Sequence, residues 1–282
     1  MRLGLRLGSA AVLLAILIGA LAARGPVLDA LAAMAVVVAC WEYSGLMRRL
    51  GAAPLPWLVY PLAVFLLLRH DAPSGWPVLD WAVGGALVVG TLGLLVRPGE
   101  ALDKGMLRWA SAVGGALWLG LTLGYLVTLV NLGAQVVPAA AGAVIDLRWL
   151  VIVALGGAMV GDTAALFVGS AVGRHRFFPS ISPRKSLEGA AGGLAGTVLT
   201  WSLAAPALAH IPVAHAVVLG VVCGVAAQGG DLVESALKRA ARVKDSSELI
   251  PGHGGLLDRL DALLLLGPVL YAYVSVAVTR LP

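Results

Sequence analysis

The run Arg148-Trp149-Leu150-Val151-Ile152-Val153-Ala154-Leu155-Gly156-Gly157-Ala158-Met159-Val160-Gly161-Asp162-Thr163-Ala164-Ala165-Leu166-Phe167-Val168-Gly169-Ser170-Ala171-Val172 decides what kind of protein this is. As a helix it is long enough to cross a hydrocarbon layer of roughly 30 Å, which takes about 20 apolar residues. It lacks the in-out alternation of a barrel strand, so helix is the spanning form. Its one carboxylate, Asp162, sits between Gly161 and Thr163 at membrane depth, where an acid is costly and therefore a functional candidate.

Outward from this run the same pattern recurs. Spans are predicted at residues 8–23, 27–46, 55–68, 76–96, 109–131, 148–172, 188–209, 213–237 and 259–279. The chain is 60% hydrophobic and only 12% charged, about half the charge of a soluble domain. The predicted fold is an all-α polytopic integral membrane protein with about nine transmembrane helices. It is expected to form a single transmembrane domain over 1–282, with N-terminal helices in 1–147 and the chemistry-bearing helices in 148–282. Of the 20 Lys and Arg residues, all but Arg24, Arg69, Arg148 and Arg280 fall on one side of this layout. The positive-inside rule then places the N-terminus and the loops at 174–188 and 238–259 in the cytoplasm, with the C-terminus outside the cell membrane. The net charge of +5 reflects these loops near anionic lipid and does not indicate a nucleic-acid partner. Arg2, Arg6 and Ala20-Leu21-Ala22 also resemble a cleavable leader, whose removal would leave the later loops on the same side.

Cys40 and Cys223 lie in apolar runs without ligand spacing and read as small core residues. The pairs Gly120/Gly124 and Gly220/Gly224, with Gly84-Gly85 and Gly114-Gly115, permit close helix contact. Packing inside one subunit is the simpler use, and a homodimer face the other.

The charged residues concentrate near the end of the chain. Asp231, Glu234, Ser235 and Lys238 recur at helical spacing along one stripe, and Asp258 and Asp261 open the last span on a shared face. Acids at a helix N-terminus also suit the macrodipole, but that does not account for Asp231 or for the basic cluster between the acids. Three carboxylates brought together require a cation, and oxygen-only ligands select a hard one such as Mg²⁺. Lys238, Arg239, Arg242 and Lys244 read either as positive-inside anchors attracted to lipid headgroups or as cations that neutralise triphosphate and pyrophosphate charge. Gly252-His253-Gly254-Gly255 forms a loop whose backbone N–H groups are expected to face an anion near the next helix. A second patch follows Asp162. Ser182-Pro183 reads as an N-cap with proline at N1, which would put Arg184 and Lys185 near the positive end of that helix. Glu42, in Trp41-Glu42-Tyr43, reads as an interface residue of low weight.

At these residues the chain resembles the phosphatidate cytidylyltransferase (CDP-diacylglycerol synthase) family. Its signature is matched by Ser235, Lys238-Arg239, Lys244-Asp245, Pro251, His253-Gly254-Gly255, Asp258-Arg259 and Asp261. Gly161-Asp162-Thr163 and Ser182-Pro183-Arg184-Lys185, with Glu188-Gly189 and Gly192-Gly193, look like the family's second block. Leu166, Ser170 and Ser186-Leu187 depart from it, which touches the shape of the second patch.

The resemblance implies the reaction CTP + phosphatidate → CDP-diacylglycerol + pyrophosphate, with CTP and a membrane lipid as partners. It implies Asp231, Asp258 and Asp261 as ligands of Mg²⁺, with a second cation nearby, and a catalytic role for Lys238. Arg239 and Lys244 would bind substrate phosphate. Arg184, Lys185, His253, Gly254, Gly255 and Asp162 would be further substrate contacts. A CTP-dependent lipid kinase is the nearest alternative enzyme and would release CDP. A transporter would show broken helices in matching halves, whereas the polar patches here are confined to the second half.

Overall fold

The computed structural model describes residues 2–69, 84–85, 88–89, 91, 102–137 and 143–278. Its helices are α1 (Arg2–Ala23), α2 (Gly25–Arg49), α3 (Pro56–Leu68), α4 (Leu102–Ala116), α5 (Thr122–Leu132), α6 (Leu147–Val172), α7 (Leu187–Ala209), α8 (Val213–Ala240) and α9 (Leu257–Tyr273). A π-helical turn over Leu117–Leu121 joins α4 to α5, and another, Val274–Val278, extends α9. An all-α membrane architecture is therefore present. Six of the described helices are long and apolar enough to cross a membrane, and Ala11–Ala23 and Pro56–Leu68 are shorter apolar helices. The predicted span at 76–96 lies almost wholly outside the described residues.

The sequence pattern gave no sign of one small element, a two-stranded antiparallel ladder of β1 (Ala134–Val137) and β2 (Ala143–Asp146), with Ala134 opposite Asp146. It leads directly into α6, whose first turn is capped by Asp146 accepting from Arg148 N at 3.0 Å.

The chain folds as two compact units, and they do not follow its two halves. Met1–Val127 combine with Leu237–Leu260 in the first, and Thr128–Ala236 with Asp261–Pro282 in the second. Most of the signature loop thus joins the N-terminal helices, not the rest of the expected catalytic half.

In the first unit α3 packs between α2 and α4, burying Val36, Ala39 and Leu46 with Val59, Ala63, Leu67, Ala112 and Leu119. Gly120 in the π turn faces the backbone of Ala63, and a Cβ at Gly124 would lie 3.0 Å from the carbonyls of Leu66 and Leu67. These glycines let two helix backbones touch. Gly115 faces the Tyr43 ring, while a Cβ at Gly84, Gly85 or Gly114 would meet none of the described residues within 4 Å. Tyr43 donates to Ser111 O at 3.0 Å, and Ser111 Oγ to Ala52 O at 2.7 Å, which fixes α4 against the end of α2.

In the second unit α6 and α7 pack along most of their lengths. Gly157 and Gly161 admit Trp201 and Thr197 of α7; Gly193 and Gly196 admit Ala165 and Ala164 of α6. Thr197 Oγ1 reaches Gly157 O at 3.1 Å, so this hydroxyl is satisfied at the crossing. Gly220 and Gly224 seat α8 against Val198, Trp201 and Leu194. Both GxxxG pairs are used within one subunit.

Candidate active site

Helix α8 ends in a Schellman pattern: Val243 N bonds Lys238 O at 2.9 Å and Arg242 N bonds Arg239 O at 3.0 Å. Arg242 takes the left-handed position, at φ 58°, that glycine usually fills. Arg239 Nη1 returns to Val243 O at 3.2 Å. The chain then runs through 244–249 and turns tightly at 250–254. There Ile250 N bonds Gly254 O at 2.8 Å, and Gly252 and Gly254 hold φ 79° and 76°.

Two buried carboxylates hold this loop. Asp258 accepts Lys238 Nζ at 2.6 Å on one oxygen, and Ser246 N at 3.0 Å and Gly255 N at 2.7 Å on the other. Asp258, in the first turn of α9, thus reaches back to the Gly255 N–H just before the helix. The Lys238–Asp258 pair is well buried, at 13% and 5% side-chain exposure. The second carboxylate is Glu42 of α2, only 2% exposed. It accepts Leu256 N at 2.9 Å, Leu257 N at 2.6 Å and Ser247 Oγ at 2.5 Å. Ser246 Oγ lies 3.2 Å from Glu42 and 2.9 Å from Asp258, and its single proton serves one of them at a time.

This corrects the expected use of the glycine loop. The N–H groups of residues 255–257 face an anion at the start of α9, but that anion is the protein's own pair of carboxylates. It also explains why Gly254 and Gly255 lack side chains. A Cβ on Gly254 would come within 2.8 Å of Asp258 Oδ2, and one on Gly255 within 2.6 Å of Glu42 Oε1. Its neighbour His253 points its Nδ1 at Ser9 Oγ of α1, 2.9 Å away. Lys244 is exposed on the loop.

In the second unit Lys185 is ion-paired with Asp231, whose other oxygen takes Ser235 Oγ at 3.2 Å. Lys185 reaches it from the loop before α7, and that loop differs from expectation. The N-cap is Ser186, 3% exposed and bonded to Gly189 N at 3.1 Å; Ser182 does not cap the helix. Extended pairing keeps the chain out of a helix until then, with Phe177 N on Lys185 O and Leu187 N on His175 O, both 2.9 Å. Arg184 and Lys185 are therefore loop residues. Glu188 braces the same loop by accepting Arg174 N at 3.1 Å and His175 Nδ1 at 2.6 Å. Of the departures from the family pattern, Ser186 keeps a capping hydroxyl, Leu166 is exposed, and Ser170 bonds Phe167 O in its own helix. Asp162 is exposed on α6.

Gly230 brings α8 onto the backbone of α9: a Cβ there would meet Asp261 O and stand 3.3 Å from Ala262 Cα. Asp231, the next residue, thus lies at the crossing that contains Asp261, whose Oδ1 accepts Ala262 N at 2.7 Å. Among the described residues no group of three or more His, Cys, Asp or Glu is drawn together closely enough to hold a metal ion.

A model of the cytidylyltransferase family matches residues 4–277. This chain belongs to the cytidylyltransferase family. It is 32% identical over 232 residues to the phosphatidate cytidylyltransferase of Bacillus subtilis, covering 80% of each chain. It is 30% identical over 276 residues to phosphatidate cytidylyltransferase 5, chloroplastic, of Arabidopsis thaliana, over 91% of this chain and 68% of the relative. The phosphatidate cytidylyltransferase of Thermotoga maritima matches at 45% over 118 residues, 40% of this chain and 44% of the relative. The family match extends into α2, so the helix that carries Glu42 belongs to the family's fold as much as the signature does.

Glu42 is the residue that sequence reasoning undervalued. Its signal is an acid on a spanning helix with no Lys or Arg three or four residues away on either side. Such an acid must find its donors elsewhere in the fold.

Proposed function

We propose that this protein is a membrane-embedded CTP:phosphatidate cytidylyltransferase, making CDP-diacylglycerol for phospholipid synthesis. The observation that carries it is the signature itself, folded as one hydrogen-bonded body around Asp258 and Glu42 in a chain of the cytidylyltransferase family. In the reaction a phosphatidate phosphate oxygen attacks the α-phosphorus of CTP. A P–O bond forms there as the bond to the β-phosphate oxygen breaks, and the electron pair leaves with pyrophosphate. The attacking phosphate is already anionic at neutral pH, so positioning and charge stabilisation supply the catalysis.

Lys238, Arg239 and Lys244 are the cations for substrate phosphate, and Lys185 and Arg184 extend that set from the second patch. Asp231, Asp258 and Asp261 are the candidate ligands of Mg²⁺, with a second cation beside it. Their oxygen donors fit a hard cation in kind. Asp231 and Asp261 fit best, because they lie at one close helix crossing. The Asp258 carboxylate already holds the loop and a lysine, and would share or exchange that lysine. A bound Mg²⁺ would offset triphosphate charge and stabilise the departing pyrophosphate. The site faces the cytoplasm of the cell membrane in this reading, where CTP enters from water and lipid from the bilayer. The subunit stands alone or as a homodimer, with no nucleic-acid partner.

Purified protein with CTP, phosphatidate and Mg²⁺ should release pyrophosphate and form CDP-diacylglycerol. Chelation should stop turnover and added Mg²⁺ should restore it. Release of CDP with a phosphorylated lipid would establish the kinase reading instead.

A further inference from the structure

A cavity of about 760 Å³ opens where the last two turns of α2 meet the signature loop. It is lined by Gly45, Arg48 and Arg49 on one side and by the run 243–248, including Lys244, on the other. The size is that of a small-molecule site. The loop wall is fixed, since Ser246 and Ser247 are bonded to Glu42. The helix wall continues the same face: Gly45, Leu46 and Arg49 follow Glu42 by three, four and seven residues. Among the described residues an added Cβ at Gly45 would meet only the Arg48 guanidinium, at 3.7 Å, so the absent side chain leaves room at the cavity wall.

Arg48, Arg49 and Lys244 are exposed. None is ion-paired among the described residues, although Asp245 and Glu248 line the same cavity. Three cations and two carboxylates thus share one cavity without neutralising one another. A ligand that matches both must offer phosphate oxygens to the cations and hydroxyl or amino donors to the acids. A nucleoside triphosphate carries both kinds of group, whereas a lipid phosphate headgroup offers mainly the first.

Arginines in the last turn of a spanning helix also serve as positive-inside anchors and suit the helix dipole. That role requires charge alone and would be filled equally by lysine. Forked contact to phosphate would not be.

We propose that Arg48 and Arg49 bind the phosphates of the nucleotide, forming with Lys244 a cradle that spans the cavity from α2 to the signature loop. This rests on the CTP-dependent reading above. The test is R48K/R49K, which keeps both charges, beside Gly45→Leu, which fills the cavity and leaves the charges alone. Binding of CTP and of inorganic pyrophosphate is measured by calorimetry in detergent without lipid. The apparent affinity for phosphatidate is taken from turnover at varied surface fraction. Both variants should bind CTP about tenfold or more weakly, as expected for loss of one forked charge-assisted contact, and R48K/R49K should lose pyrophosphate affinity in parallel. Wild-type CTP affinity in either variant overturns the cradle, as does a change confined to phosphatidate. If wild-type protein binds CTP but makes no CDP-diacylglycerol, the proposed reaction fails while the cradle is still decided by the binding arm.

Discussion

Replacing Glu42 by Gln tests whether α2 holds the signature loop in place. The wild-type carboxylate accepts Leu257 N at 2.6 Å and, on its other oxygen, Leu256 N at 2.9 Å and Ser247 Oγ at 2.5 Å, at 2% exposure. A glutamine of the same shape has one acceptor oxygen. Whichever way the amide turns, its NH₂ faces a backbone N–H that then has no acceptor. A hydrogen bond to a charged group is worth about 1.5–3 kcal/mol, and stranding a buried donor costs a similar amount. We therefore expect E42Q to lower the opening free energy of the loop by about 2–3 kcal/mol, a factor of roughly 30–150 in its open population. The assay is amide hydrogen exchange over 245–257 in detergent-purified protein. Exchange there should accelerate by that factor, while α6 and α7, in the other unit, keep wild-type protection. E42D, which retains both acceptor oxygens, should recover part of it. Turnover falls only to the extent that the loop's remaining stability is small, so exchange is the deciding readout. Wild-type protection of Leu256 and Leu257 in E42Q would refute the clamp.

Asp258→Asn and Asp261→Asn should both lose activity, yet differ in stability. D258N strands Lys238 and weakens the bonds to Ser246 and Gly255, so loop exchange should rise; D261N should leave it near wild type. Equal exchange in the two variants would show that Asp258 does not hold the loop. Gly230→Ala should lower the melting temperature and cut turnover at least about tenfold, because its Cβ is driven into a backbone carbonyl at the α8–α9 crossing. Gly229→Ala, whose Cβ would stand 3.4 Å from the movable tip of Leu265, should be tolerated. Similar behaviour of the two would remove the argument that this crossing sets the position of Asp231.

How much of this was legible in the sequence depended on the range of the interaction. The spanning helices were readable because hydrophobic length is a local property, and α6 begins and ends within a residue of the predicted run. Ser182-Pro183 satisfies every local rule for a helix start, yet the helix begins at Leu187. The deciding contacts are cross-chain bonds between 175–177 and 185–187, which no window around residue 182 reveals. The short ladder before α6 was missed for a related reason: four-residue strands carry too little alternation to read. Glu42 is the extreme case, since its partners lie more than 200 positions away in the chain.

The structure also divides the signature by task. Lys238, Asp258, Gly254 and Gly255 are fixed by contacts with one another and with Ser246 and Glu42, and their spacing follows from packing alone. A Cβ at either glycine collides with a carboxylate, and a shift of one residue at Asp258 would lose its reach to Gly255 N–H. Lys244, by contrast, is exposed on the cavity wall with no ion-pair partner among the described residues, and Asp231 is held by a lysine from a separate loop. Residues of the first kind build the loop; residues of the second kind lie outside that network. A substitution in the first group should therefore change loop protection and activity together, and one in the second activity alone. Lys238 is the informative case in the first group, because it is also a candidate phosphate cation. It is buried against Asp258, and removing a partner from a buried pair costs about 3–5 kcal/mol. Its loss would unsettle the loop before any phosphate arrived, so activity data on Lys238 variants report on chemistry only when loop exchange is measured beside them.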